Sequence, residues 1–244
     1  MYIVFALAAL AQASPQQAAP PSPIATATSQ TNVGRAAAGL ELAQLLFPLN
    51  RQTALLDRTM DRDMRSSLLK DEAIAEIEDE NPGLVAAMIA AMRPVLLKNL
   101  EKQLPGYHRG IGAIYARHMD EAEIRDAMAF FGSPAGRKFV DQVNENMSFA
   151  PIMDNVVADP DAPIARDDIA KAKMDAAART VANMDADQAA AIMTLAGRSW
   201  TKKLATIRAE ITAYDQEQMN APDPELDKEL ERVMSSTVER FLAE

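Results

Sequence analysis

The sequence predicts an all-α protein built of antiparallel helical hairpins in a bundle, and three observations carry that prediction. Apolar residues recur every three or four positions along most of the chain rather than in strict alternation. Ala, Leu, Met, Glu and Arg are abundant, with only nine glycines in 244 residues, and little of the chain suits a strand. Capping and stop signals sit where the apolar runs begin and end. At 48% hydrophobic residues the chain can bury a sizeable core, which excludes disorder throughout.

Residues 2–11, YIVFALAALA, form an apolar run too short to span a membrane, and Ala11-Gln12-Ala13 before Ser14 fits the small-residue pattern of signal cleavage. No Lys or Arg precedes the run, which leaves the placement of the start codon open. The expectation is a signal peptide over 1–13 cleaved near Ala13, a periplasmic or secreted destination and no transmembrane segment in the mature chain. Residues 14–34 carry no charge before Arg35 and contain four prolines, so they read as a disordered leader that cannot bury enough apolar surface to order itself. A single all-α domain is expected over 35–244.

Within it, Leu42, Leu45, Leu46 and Leu49 predict a short helix. A longer one follows through Leu55, Leu56, Met60, Met64 and Leu68, after Pro48 and Asn50. Asp71 to Glu80 is an acidic tract expected as a solvated face or loop, and Asn81-Pro82-Gly83 is a turn. The next helix carries Leu84, Val85, Met88, Ile89, Met92, Leu96 and Leu100, with Pro94 expected to kink it and Leu104-Pro105-Gly106 to break it.

Met119 to Phe139, MDEAEIRDAMAFFGSPAGRKF, is the most specified stretch. Asp120 and Glu123 have the spacing of a capping box, with Met119 and Ile124 at the positions of a hydrophobic staple. Ile124, Ala127, Met128 and Phe131 form one stripe. Gly132 suits a left-handed stop, Ser133 a new N-cap and Pro134 the first position of the next helix, where Phe139, Val140 and Val143 face inward and Gly136 admits a close neighbour.

After a loop at Asp159 to Pro163 and a helix from Ile169 to Asn183, the pattern returns. Met119-Asp120 recurs 65 positions on as Met184-Asp185, Met128 as Met193, Phe130 as Leu195, Gly132 as Gly197 and Arg137-Lys138-Phe139 as Lys202-Lys203-Leu204. Segments 119–143 and 184–208 thus read as an internal duplication. The second copy lacks Ser-Pro, and its apolar spacing from Ala189 to Tyr214 predicts one long helix with no turn. Asp223 and Pro224 then start a last helix with Leu226, Leu230, Val233, Met234, Thr237, Val238 and Phe241 along it.

Tyr115-Ala116, the capped Asp120 to Glu123, Phe130-Phe131 and Ser133-Pro134-Ala135-Gly136-Arg137-Lys138 together resemble the core of the bacterial family called domain of unknown function 2059. The resemblance covers about residues 84–153, departing at Met119, where an aromatic is expected, and at Phe131, where tyrosine is common. It implies a helical domain in exported proteins of Gram-negative bacteria, and it brings no catalytic residues.

The chemistry-bearing residues are sparse. A net charge of -10 argues against nucleic acid, and the absence of cysteine removes disulfides and thiolate sites. The two histidines, His108 and His118, lack metal-ligand spacing, and no phosphate loop or nucleophile elbow occurs. Fourteen methionines, among them Met60/Met64 and Met88/Met92, read as core rather than as thioether ligands for copper. No cofactor is expected. The function class these features favour is a non-enzymatic, exported module that binds a protein or lipid-like ligand, with oligomerisation as a further route to an envelope role. The candidate interaction surface is Tyr115, Phe130, Phe131, Arg137, Lys138 and Trp200. The rival is a metal-dependent or hydrolytic enzyme using His118 and nearby carboxylates.

Overall fold

The computed structural model describes residues 30–159 and 162–243, and the protein is all-α, with no strand among the described residues. The signal-peptide expectation over 1–13, most of the leader and Pro160-Asp161 lie outside them. In chain order the helices are α1 (Gln30–Leu46), α2 (Leu49–Arg58), a π-helical turn (Thr59–Met64), α3 (Arg65–Leu68), α4 (Glu72–Glu80), α5 (Leu84–His118), α6 (Glu121–Phe131), α7 (Pro134–Asn146), α8 (Ala150–Ala158), α9 (Arg166–Ala182), α10 (Ala186–Met193), a 3-10 turn (Ser199–Lys203), α11 (Leu204–Met219) and α12 (Pro224–Leu242). Helix α1 starts at Gln30, before the expected boundary at Arg35, and in its first turns the Asn32 side chain accepts a hydrogen bond of 2.7 Å from Arg35.

The chain forms two compact units. One gathers the segments up to Pro48, Gly106–Asn146 and Lys173–Tyr214; the other gathers Leu49–Pro105, Met147–Ala172 and Asp215 onward. In the first, α1 packs against α6, α6 against α7, and α7 against α10. Its interior holds Leu42, Phe47, Ile111, Tyr115, Ile124, Phe139, Val143, Leu195, Trp200, Ile207 and Ile211, all nearly inaccessible to water. Helix α1 meets α5 at glycines: a Cβ on Gly112 would lie 2.8 Å from the Leu40 Cα, and one on Gly39 would overlap the Gly112 carbonyl oxygen.

The second unit is built on Met60, Val85, Ile89 and Met92, with Leu56, Met64, Leu68, Ile74, Leu96, Leu230, Val233 and Met234 packed around them. Met60 and Met92 are therefore core residues, with Met64 packed against them, while Met174 and Met193 elsewhere in the chain are exposed. The π-helical turn rotates both Met60 and Asp63 inward, and the buried Asp63 carboxylate accepts the Phe149 amide at 2.6 Å and the Ser148 hydroxyl at 3.3 Å, fixing the start of α8. The acidic tract at 71–80 is an exposed helix rather than a loop. Asp71 caps it by accepting the Ile74 amide at 3.0 Å, and Glu78 accepts the amides of Gly83 at 2.9 Å and Val85 at 2.8 Å, so α4 caps α5.

Three local expectations change. Helix α5 runs through Pro105, so the break expected there is absent, and Pro94 lies inside the helix as its spacing implies. Both prolines and the residues four positions earlier, Ala90 and Glu101, are exposed, so the carbonyls that lose a partner face water instead of the interior. Gly132 has φ -78 and is not left-handed; its amide bonds Met128 at 2.8 Å and that of Ser133 bonds Phe130 at 3.0 Å, a tight final turn that leads straight into the Ser133 cap of α7. The second copy also turns. Helix α10 stops at Met193, Arg198 is extended and a 3-10 turn precedes α11, so the single helix expected from Ala189 to Tyr214 is two. The apolar spacing holds from Trp200 onward, where Trp200, Leu204, Ile207 and Ile211 are buried, but before the turn Met193 and Ala196 are exposed and Leu195 is buried instead.

Replacing Gly39 by Val should lower stability by about 1–3 kcal/mol through overpacking at the glycine crossing. Gly197→Ala, where a Cβ meets nothing within 4 Å, should stay within about 0.5 kcal/mol of the parent. Urea unfolding followed by the fluorescence of the single tryptophan measures both, and equal effects would contradict the packing described.

Candidate functional site

The densest polar constellation lies on one face of α6. The Asp120 carboxylate accepts the Glu123 amide at 2.9 Å, and the Glu123 carboxylate accepts the Asp120 amide at 2.9 Å, completing the capping box that the spacing predicted. Glu123, only 8% exposed, also accepts from Lys203 Nζ at 2.5 Å and from the Ser199 hydroxyl at 2.8 Å. Asp126, three residues on and therefore on the same face, accepts from the Arg198 guanidinium on one oxygen and from Trp200 Nε1 at 2.7 Å on the other.

Burial pushes both carboxyls up. For Glu123, the Lys203 ammonium, the Asp120 amide and the Ser199 hydroxyl outweigh that and hold it below the ordinary glutamate range. For Asp126, Arg198 and Trp200 do the same.

The second copy answers from the other side. Asp185 and Gln188 form its capping box, at 2.8 Å and 3.3 Å. Lys138 Nζ meets the Asp185 carboxylate at 2.5 Å, and Gln188 Nε2 donates to Gln142 at 2.7 Å. Lys138 and Lys203 correspond at the offset of 65 residues, and each reaches the capping box of the other segment.

The six residues of the expected surface divide sharply. Tyr115, Phe130, Phe131 and Trp200 are interior, at 7% exposure or less. Phe131 joins Phe130 at a ring separation of 5.1 Å and Trp200 at 6.1 Å, which brings the two copies' aromatics together but leaves none of them as surface. Arg137 and Lys138 are exposed, yet Arg137 donates to the Gly132 carbonyl at the end of α6, and Lys138 holds Asp185. Glu123, Asp126, Arg198, Ser199 and Lys203 were not singled out as a cluster from sequence. The usable signal was two carboxylates on one helical face, matched by cations in the other copy.

The histidines stand apart. His108 is buried with Nε2 2.8 Å from the Phe47 carbonyl oxygen, and His118 Nε2 lies 3.1 Å from a Glu210 oxygen that also accepts from Arg117 at 2.7 Å. Burial raises the Glu210 carboxyl, while His118 and Arg117 bring it below its ordinary value. Among the described residues no group of three or more His, Asp or Glu side chains is placed to hold a metal ion.

One more constellation, in the second unit, escaped the sequence reading although Ser67-Leu68-Leu69-Lys70 has the S-x-x-K spacing of some acyl-transfer sites. The buried Ser67 hydroxyl lies 2.6 Å from Asp154, whose carboxylate also takes Lys70 Nζ at 2.9 Å and 2.8 Å, beside an open groove of about 570 Å³. Lys70, then Ser67, hold Asp154 below the usual carboxylate range, which makes it a poor acceptor for the serine proton.

Residues 108–153 match the family described as an uncharacterized protein conserved in bacteria, domain of unknown function 2059. The match begins at His108, inside α5, and ends at Met153, in α8. It contains α6, α7 and residues 119–143. Neither a curated protein nor a solved structure matches the chain.

The clamp predicts an acid-sensitive stability. Its depressed carboxylates bind more protons unfolded than folded, so their contribution is present above the unfolded values, near about pH 4, and is lost as pH falls through the lower folded values. Glu123→Gln combined with Asp126→Asn should cost about 2–4 kcal/mol at pH 7, and the gap to the parent should narrow as pH drops from about 5 toward 3. Urea unfolding across that range checks both, and a gap that stays constant would remove the clamp as its source.

Proposed function

We propose that the chain is a non-enzymatic interaction module exported to the bacterial cell envelope. The observation that carries this reading is the fate of the polar residues in the matched segment. Glu123 and Asp126 are both taken up by donors from Arg198 to Lys203. His108 is spent on a backbone carbonyl. These groups join helices to helices, and none forms a nucleophile paired with a free base. Export rests on the apolar run at 2–11 and the Ala11-Gln12-Ala13 site.

Expressed with a C-terminal tag in a Gram-negative host, the chain should fractionate with the periplasm and begin at Ser14. Retention in the cytoplasm with Met1 intact would overturn export. In cells where deletion has a phenotype, His108→Gln combined with His118→Gln should complement fully. Loss of complementation by a folded double variant would instead favour the enzyme.

A further inference from the structure

Two clefts of the second unit border α8, and helical spacing puts them on opposite sides of it. Asp154 and Val157 face the groove beside Ser67, whereas Ile152, Asn155 and Val156 face a smaller cleft of about 320 Å³ between α8 and the start of α9. The two differ in charge. In the first, the Lys70 ammonium already meets the Asp154 carboxylate at 2.8 Å. In the second, the polar side chains are those of Asn155, Asp168 and the exposed Asp159, and no lysine or arginine lines it among the described residues.

The walls of the second cleft are apolar and one of them is fixed from behind. Helix α8 reads APIMDNVVA, yet Ile152 is its buried residue, and Val156 stays half-exposed because it borders the cleft rather than a packed neighbour. Ile164 stands on the facing loop. Asn220, just after α11, accepts the Ile164 amide at 2.8 Å and donates to the Ile164 carbonyl at 3.0 Å, and Gln216 donates to the same carbonyl at 3.2 Å. With both backbone groups of Ile164 satisfied, this wall is tied to the end of α11 and not to α8. At the polar end, Asn155 Nδ2 donates to Asp168 over a long 3.4 Å, and a carboxylate with about four acceptor sites has capacity for a stronger donor.

We infer that this cleft binds a small amphipathic cation, an aliphatic ammonium compound, with its chain along Ile152, Val156 and Ile164 and its head at Asp168. The apolar walls disfavour a fully hydrated ion, and the carboxylates disfavour an anion of the same shape. The volume falls at the small end of ligand clefts, which run from about 300 to 1,000 Å³. This assignment does not depend on the interaction-module reading.

Titration of the isotopically labelled full chain, followed by amide chemical shifts, decides it. Hexylammonium chloride should shift the signals of residues 152–159 and 162–168. Hexanoate, with the same chain and the opposite charge, should bind at least about tenfold more weakly. Shifts centred outside the cleft, or equal affinity for the two probes, would overturn the inference. Val156→Trp, at a half-exposed position, should fill the cleft and abolish the shifts. Asp168→Asn, which keeps the shape and removes the charge, should weaken hexylammonium binding about fivefold and leave that of hexan-1-ol unchanged. Undiminished hexylammonium binding by either folded variant would overturn it.

Discussion

The arrangement of the first unit depends on two carboxylates, three residues apart on α6, that face four donor side chains drawn from Arg198 to Lys203. An uninterrupted helix from Ala189 to Tyr214 would carry those donors around its circumference at 100° per residue, and they would not converge on one face of a neighbour. The chain converges them by leaving the α-conformation: α10 ends, Arg198 becomes extended, and a 3-10 turn delivers Ser199, Trp200 and Lys203 together. Trp200 can then be 1% exposed with its indole N–H satisfied, which a buried tryptophan in an apolar interior requires.

Segments 119–143 and 184–208 exchange lysines: Lys138 meets the cap of the second, and Lys203 the capping box of the first. The two sides are unequal. Glu123 is buried and charged, whereas its equivalent Gln188 is buried and neutral and pairs with Gln142. Lys138 consequently meets the capping aspartate Asp185 rather than the third helical residue, in a pair about half exposed on each side and so of lesser weight. Asp126 has no charged equivalent at Ala191. The strong half of the clamp therefore holds the second copy to the matched segment, and the weak half supplements it.

Much of this was legible in the sequence. The capping box at Asp120 and Glu123, the Ser133 and Asp223 caps and the core positions of Met60 and Met92 follow from spacing and side-chain type alone, because caps and amphipathic faces are local properties. What failed depended on the surroundings. Pro105 should interrupt a helix unless the freed carbonyl at Glu101 reaches water, and only the fold reveals that it does. The turn at Gly197 has no proline to announce it, since Asp126 imposes it from more than seventy residues away. The aromatics of the expected surface are interior for the same reason: a helical pattern marks them as specified, but not which side of the specification is wet.

The distinction between a structural polar cluster and a catalytic one can be drawn from the direction in which each carboxyl moves. A general base near neutral pH needs a carboxyl raised by burial and left short of cations. In Glu123, Asp126 and Glu210 burial does push upward, but a lysine, an arginine or a histidine stands close enough to reverse it. Asp154, beside the S-x-x-K serine, is lowered chiefly by Lys70 itself. The same pairing that satisfies these buried or half-buried charges makes them poor proton acceptors. Across both units, the acidic residues that most resemble a site in sequence have exchanged basicity for adhesion.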